Sequence, residues 1–377
     1  MTQSRTSRRI DPTAEKVSFL GSPTAYPTPT RRVETLETTM SWVFLTDDRA
    51  FKLKKPVQHR HLDFSTLEKR RFFCEEEVRL NRRLAAETYV RTLPLRRLCS
   101  GGLTLGEESV EGTGRVVDWL VEMKRLPQSD MLDARIRQGR LQVSDVRCIA
   151  TRLSDFYIRA RRPENRVDGT SYLRFLAAEQ GLNRSILMRR ALGLANIAAG
   201  PLAAVDRLFD ACQKEIGDRM ATHMIVEGHG DLRPEHICLT DPPQIIDCLE
   251  FNRAMRIIDP CDEITYLGME CDMLGASGVR GTLERMMAAA EPSASDRSGA
   301  GPFSDPSPAL LALYGGFRAL LRARLCIVHL LSKPVRHAER WRPLAIAYIR
   351  QAEREIDVAT SSRAPVAQDF DAGKGDD

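Results

Sequence analysis

The chain has no long uncharged apolar run, no paired-cysteine spacing of the zinc type, no phosphate loop of the form G-x-x-x-x-G-K-[ST] and no internal repeat. Each absence removes a class. The most apolar long stretch, "LLALYGGFRALLRARLCIVHLLS", carries Arg318, Arg322 and Arg324, and a bilayer centre would penalise each by about 2.5 kcal/mol or more. It reads as a helix with a buried face, and no membrane partner is expected. The polar start "MTQSRTSRRIDPTAEK" lacks the apolar stretch of a signal peptide. Nine cysteines, at 74, 99, 148, 212, 238, 248, 261, 271 and 326, are scattered, odd in number and mostly set in apolar runs. That fits reduced thiols in a cytoplasmic protein rather than a disulfide framework. Without the phosphate loop, P-loop kinases are excluded.

What is present is 377 residues, 42% of them apolar and 28% charged, the composition of a soluble globular protein of two domains or two lobes. The net charge of +5 is mild, and basic residues alternate with acidic ones, as in "EKRRFFCEEEVRLNRRL". This is a solvated helix surface, and no nucleic-acid partner is expected.

Residues 1 to 30 are rich in Ser, Thr, Pro and Arg and are expected to be loosely ordered, apart from a short piece at "VSFLGSP". "SWVFLT" and "AFKLKKP" read as two strands joined by a tight turn at Asp47-Asp48. Strand alternation puts Lys52 and Lys54 on one face and Phe51 and Leu53 on the other, so the lysines are expected to point together, away from the core. A helix is expected over about 64 to 88. Its stripe of Phe73, Leu80 and Leu84 includes Glu77, which makes Glu77 the inward carboxylate. A hairpin is expected over 103 to 123 with its turn near Gly112-Thr113-Gly114. Beyond Lys124 the pattern turns helical, with amphipathic stretches over 142–160, 170–216 and 308–358, interrupted by a compact strand cluster at 236–251. Residues 291–308 read as a surface loop and 361–377 as a disordered tail.

Four pieces carry chemistry: "FKLKKPV", the helix with Glu77, "HGDLRPEH" at 229–236 and "IIDCLEF" at 245–251. In that order they resemble the aminoglycoside phosphotransferase branch of the protein-kinase-like family, near bacterial members with "YKLKKPV" and "HGDL" stretches. The resemblance spans about 35 to 350, and its motifs occupy about 40 residues. It implies an α+β, two-lobe fold: a small β-rich lobe over 31–123 that binds nucleotide and a larger helical lobe over 124–360 that holds the loop, the metal Asp and the substrate helices. It further implies ATP with magnesium, or manganese, and a small-molecule hydroxyl acceptor.

Phosphoryl transfer asks a protein mainly for positioning and neutralisation of charge: a cation on the phosphates, acids for the metal and an acid at the acceptor hydroxyl. By resemblance Lys52 is the phosphate lysine held by Glu77, with Lys54 on the same face as its competitor. Asp231 is the acid that orients and accepts the acceptor proton, and Arg233 stands where protein kinases carry a phosphate-contacting lysine. Asp247, delivered by an apolar strand, is the metal ligand, and Glu250 supports it. "VDWLVEMKRLP" falls at the expected hinge, so the main chain near Glu122 and Met123 is expected to meet adenine. His236 departs from the pattern, which has Asn there; imidazole suits manganese or a phosphate better than magnesium, or marks lost catalysis. Asp259, Asp262 and Glu263 match an acidic segment of the family or are helix caps. Arg318 and Arg322, one turn apart, are candidates for an anionic substrate. "DCLEF" in place of "DFG" and the missing "APE" argue against a protein kinase. The rival reading is a non-catalytic nucleotide-binding or scaffold protein.

Overall fold

The computed structural model describes residues 12–106, 114–162, 166–289, 303, 306–331 and 338–360. The chain forms two compact units, one of Met1–Pro127 with Gln244–Asn252 and one of Gln128–Pro243 with Arg253–Asp377. The class is α+β: the first unit is built on a sheet and the second on helices. Most of the expected turn near 112–114, most of the loop 291–308 and the tail 361–377 lie outside the described residues.

In the first unit α1 (Pro12–Leu20) precedes strands β1 (Glu34–Glu37), β2 (Ser41–Leu45) and β3 (Arg49–Lys54), a short ladder of β4 (Gln58–His59) and β5 (Leu62–Asp63), helix α2 (Leu67–Ala85), and strands β6 (Tyr89–Arg97), β7 (Leu103–Leu105) and β8 (Val116–Lys124). Six of the strands form one sheet in the order β1-β2-β3-β8-β6-β7, antiparallel throughout. The hairpin expected over 103 to 123 is therefore corrected. β7 and β8 each pair with β6, which lies between them. That strand was hidden in the sequence by Pro94, which a reading of side-chain types confines to edge strands and bulges, and by Arg91, Arg96 and Arg97, which interrupt its apolar pattern.

The sheet is covered on both faces. On one, Phe44, Phe51, Leu53, Leu93 and Leu120 meet Leu20 and Tyr26; on the other, Ala50, Val121 and Met123 meet Cys74, Val78 and Ala85 of α2. Two expectations change. The first thirty residues are not loosely ordered from Pro12 onward, because α1 buries Leu20 and Lys16 reaches Asp118 at 2.7 Å. And the lysine face of β3 does not point away from the core: α2 covers it, leaving Lys54 only 1% exposed. Helix α2 starts where Thr66 accepts the Lys69 N–H at 3.3 Å, an N-cap. As the stripe predicts, Glu77, Leu80 and Leu84 are buried while Glu75 is exposed.

The second unit contains α3 (Leu132–Arg137), α4 (Val143–Arg159), α5 (Arg166–Leu187), α6 (Ala195–Ala221), α7 (Pro260–Met273), α8 (Gly278–Ala288), α9 (Pro308–Leu331) and α10 (Ala338–Thr360), with strand pairs as short as β9 (Val226–Glu227) against β10 (Ile257–Ile258). The single stretch expected over 170–216 is two helices, broken where Gly193 takes φ 59°, a left-handed C-cap. Helix α7 is buried on all sides from Pro260 to Cys271. Among the described residues no helix is long and apolar enough to cross a membrane. None of the nine cysteines, all of them among the described residues, is in a disulfide, and Cys99 and Cys148 are the exposed ones.

Candidate functional site

Each unit assembles one group of the predicted residues. In the first unit a single buried carboxylate, Glu77, is shared by two lysines. Lys52 Nζ lies 2.9 Å from Glu77 Oε1 and 2.7 Å from Asp247 Oδ1, and Lys54 Nζ lies 2.5 Å from Glu77 Oε2 and also bonds Glu250. The result is an alternating row, Asp247, Lys52, Glu77, Lys54, Glu250. The row joins residues up to 196 apart in sequence.

The two lysines differ in what surrounds them. Lys54 and Glu77 have side chains with no exposure at all, whereas Lys52 keeps 16% and Asp247 44%. Lys54 is thus sealed between two carboxylates, and Lys52 stands at the open end beside Asp247. Burial opposes charge on Glu77, yet Lys52 and Lys54 hold its carboxyl below the ordinary range. Burial likewise opposes charge on Lys52, and Asp247 and Glu77 more than offset it, holding its pKa well above the usual value. With three carboxylates on two ammoniums, Glu250 carries the excess: burial, and then Glu77, push it up in spite of Lys54.

Asp247 is fixed by its neighbours rather than by a regular strand, which covers only Gln244–Ile245. Its φ is 62°, a left-handed conformation that Asp tolerates. Its N–H donates to the Tyr89 hydroxyl at 3.2 Å, and the Cys248 N–H donates to Asn81 Oδ1 at 2.9 Å. Asn81 also donates to the Glu77 carbonyl at 2.9 Å, so one amide couples the helix turn of Glu77 to the segment of Asp247. Tyr89 and Asn81 escaped the sequence reading, because main-chain contacts leave no pattern in side-chain type.

Glu122 and Met123 lie inside β8, flanked by β3 and β6, so their main chain belongs to the sheet. Met123 packs in the cluster beside Ala50 and Val121. Glu122 pairs with Phe51, on the face opposite Lys52, and its carboxylate accepts from Arg91 at 2.8 Å. Strand pairing continues past both residues, to Lys124.

In the second unit "HGDLRPEH" is a loop held by helix α7. Glu263 accepts the N–H of His229 at 3.0 Å, the N–H of Gly230, and the Tyr157 hydroxyl at 2.7 Å. A Cβ on Gly228 would come within 2.6 Å of both Glu263 Oε2 and Ile258 Cγ2, and Gly230 takes φ 90°; both positions require glycine. Asp231 receives the Tyr266 hydroxyl at 3.2 Å on one oxygen and Arg233 Nε at 3.1 Å on the other. Its carboxylate is 26% exposed. Burial opposes its charge, but the Arg233 guanidinium beside it holds it below the ordinary range.

The acidic segment of α7 divides its labour. Asp259 is the N-cap, accepting from the Cys261 N–H at 2.9 Å and pairing with Arg219. Asp262 takes Arg318 in a two-pronged pair at 2.7 and 2.8 Å, and Glu263 holds the loop. Arg318 is therefore spent in the interior and is withdrawn as a substrate contact. Arg322 pairs with Glu270 at 2.7 Å and stays 18% exposed.

His236, expected among the metal ligands, meets other groups of its own loop. Its Nδ1 lies 2.8 Å from the Asp231 carbonyl and its Nε2 3.1 Å from Arg233 Nη2, so both ring nitrogens are engaged. Among the described residues no three His, Cys, Asp or Glu side chains gather as a metal-holding group. The Asp247 carboxylate, of the oxygen chemistry that magnesium prefers and nearly half exposed, is the residue that fits an incoming cation.

No family model matches the sequence. Uncharacterized proteins of Mycobacterium tuberculosis and Mycobacterium bovis are each 30% identical over 324 residues, covering 84% of this chain and 59% of their own length. The chain thus spans about three fifths of the curated relatives it matches. Among solved structures it is similar to a choline/ethanolamine kinase family protein from Mesorhizobium loti (TM-score 0.45, 14% identity, 92% and 98% of the two chains). It is also similar to a GDP complex of aminoglycoside 2'-phosphotransferase-IIIa (0.46, 14%, 91% and 98%) and to a choline kinase from Cryptosporidium parvum (0.49, 9%, 91% and 96%).

Proposed function

We propose that the protein is an ATP-dependent phosphotransferase that moves the γ-phosphate to a hydroxyl of a small molecule. The observation that carries this reading is the row in the first unit: a lysine and a helix glutamate, joined by an aspartate some 195 positions away. A structural ion pair needs two groups. Here a third, half-exposed carboxylate is held against the lysine at the open end of a buried row, and that is what a metal-nucleotide site requires. Lys52 is the phosphate lysine in this reading, because Lys54 is sealed. Asp247 is the metal ligand, and magnesium bound there would neutralise phosphate charge.

Asp231 is the residue proposed to orient the acceptor hydroxyl and take its proton, with Arg233 beside it for phosphate charge. A carboxylate held below its ordinary range stays ionised at neutral pH, which keeps it a hydrogen-bond acceptor for that hydroxyl. The second reading, a nucleotide-binding protein without transfer, is favoured by one feature: the Arg233 guanidinium pairs with the Asp231 carboxylate at 3.0 Å, where an acceptor hydroxyl would have to be received. ATP consumption across a library of hydroxyl metabolites, with Asp231→Ala as the blank, separates the two. Acceptor-dependent turnover that the blank lacks supports transfer; nucleotide binding with no turnover above the blank supports the second reading.

A further inference from the structure

We propose that His236 is a positioning residue that holds Arg233 beside Asp231, and is neither a ligand to metal nor a relic. The proposal takes the reaction it serves from the phosphotransferase reading, while its geometry stands apart from that reading. The turn Pro234–His236 closes when the His236 N–H donates to the Arg233 carbonyl at 3.0 Å, which folds the ring back over the loop. There the ring meets two partners of fixed character. A carbonyl only accepts, so the nitrogen 2.8 Å from the Asp231 carbonyl is Nδ1–H. A guanidinium only donates, so the nitrogen 3.1 Å from Arg233 Nη2 is a lone pair.

The two contacts define one state, the neutral ring protonated on Nδ1. Metal coordination needs a ring lone pair, and the one this state has already accepts from Arg233. The consequence falls on Arg233. Its guanidinium meets Asp231 through Nε and Nη2, Glu235 through Nη1 and His236 through Nη2, so a long side chain that would otherwise sample many rotamers is held in one. With the His236 side chain 8% exposed, water competes little for these bonds.

Asparagine and glutamine divide the two contacts. Asparagine places its amide at the level of Nδ1 and can serve the Asp231 carbonyl, but it is too short for Arg233. Glutamine reaches the level of Nε2 and can accept from Arg233. The test measures turnover with magnesium and with manganese for His236→Ala, His236→Asn and His236→Gln, each also in the Arg233→Ala background. His236→Ala and His236→Asn should lower kcat by roughly tenfold or more, with glutamine restoring part of the loss. The magnesium-to-manganese ratio should stay within about twofold, and His236→Ala should cost little more once Arg233 is gone. Asparagine raising magnesium-supported and lowering manganese-supported turnover would instead assign a metal ligand, and full additivity with Arg233→Ala would overturn the route through Arg233.

A readout that needs no turnover accompanies these. Nitrogen NMR should find His236 in the Nδ1–H form, and His236→Ala should speed proton exchange at the Arg233 guanidinium roughly tenfold. An Nε2–H ring, or unchanged Arg233 exchange, overturns the proposal. If the wild-type chain transfers no phosphate to any acceptor, the phosphotransferase reading falls alone and these two measurements decide the role of His236.

Discussion

The two groups of residues are built by opposite means. In the first unit, side chains meet side chains: five charges in a row, two of them with no exposure. In the second, side chains hold main chain: Glu263 grips two N–H groups of a loop and His236 grips a carbonyl. A row of buried charges fails when one member is lost, because its partner is left uncompensated. A loop held through its main chain keeps its shape when side chains that make none of those bonds are substituted. In the proposed phosphotransferase, the first construction would serve a phosphate of fixed position, and the second a carboxylate and its arginine that meet a substrate.

The largest expected effect belongs to the second group. Asp231→Ala should lower turnover by roughly a hundredfold to ten-thousandfold while leaving nucleotide affinity and thermal stability near wild type, since the Glu263 contacts remain. A large loss of stability would mean that the loop is held through its side chains after all.

Next comes Lys54→Met in the first group, which leaves Glu77 and Glu250 without their shared cation and should destabilise by about 3 to 5 kcal/mol in urea titration. Adding Glu250→Gln should recover most of that loss. No recovery would contradict the picture of a charge row. Asn81→Ala removes the acceptor of the Cys248 N–H and should cost about 1 to 3 kcal/mol, read most directly as faster amide exchange at Cys248.

The smallest effect is one of pH. Glu77, held low by two lysines, contributes stability above the unfolded carboxylate range that is lost as acid titrates through its lower folded value. Asp272, at the end of α7, is the reverse: burial raises it to about 7 against the pull of Arg280. Folding therefore takes up a proton there, and its contribution weakens as pH rises from about 4 to 7. Asp272→Asn should be more stable than wild type by about 1 to 2 kcal/mol at pH 8 and no more stable at pH 4. A gain of equal size at both pH values would remove burial of the charge as its cause.

Legibility in the sequence followed the same division. The strands of Trp42 and Phe51, the helix stripe around Leu80 and the inward Glu77 were readable because periodicity records which face is covered. The pairing of Lys52 with Glu77 was readable only through the order of motifs, and the contact of Lys52 with Asp247 was not read, since nothing local links residues so far apart. Strand β6 was not readable, because Pro94 and its arginines mask a strand that the sheet stabilises from both sides. Nor were Tyr89, Asn81 and Glu263 assigned roles: each acts on a main-chain N–H, and the acids of α7 looked equally like caps. The substitution at His236 was visible, but its meaning lay in the two atoms that its ring meets.

The central claim is that Asp247 and Lys52 receive a metal-nucleotide while Asp231 serves the acceptor. Calorimetry of ATP binding with and without magnesium tests it most directly, on the wild-type chain, Asp247→Ala and Asp231→Ala. Magnesium-dependent binding that Asp247→Ala loses and Asp231→Ala keeps is the predicted result. Equal ATP affinity in all three proteins, with or without magnesium, would contradict it.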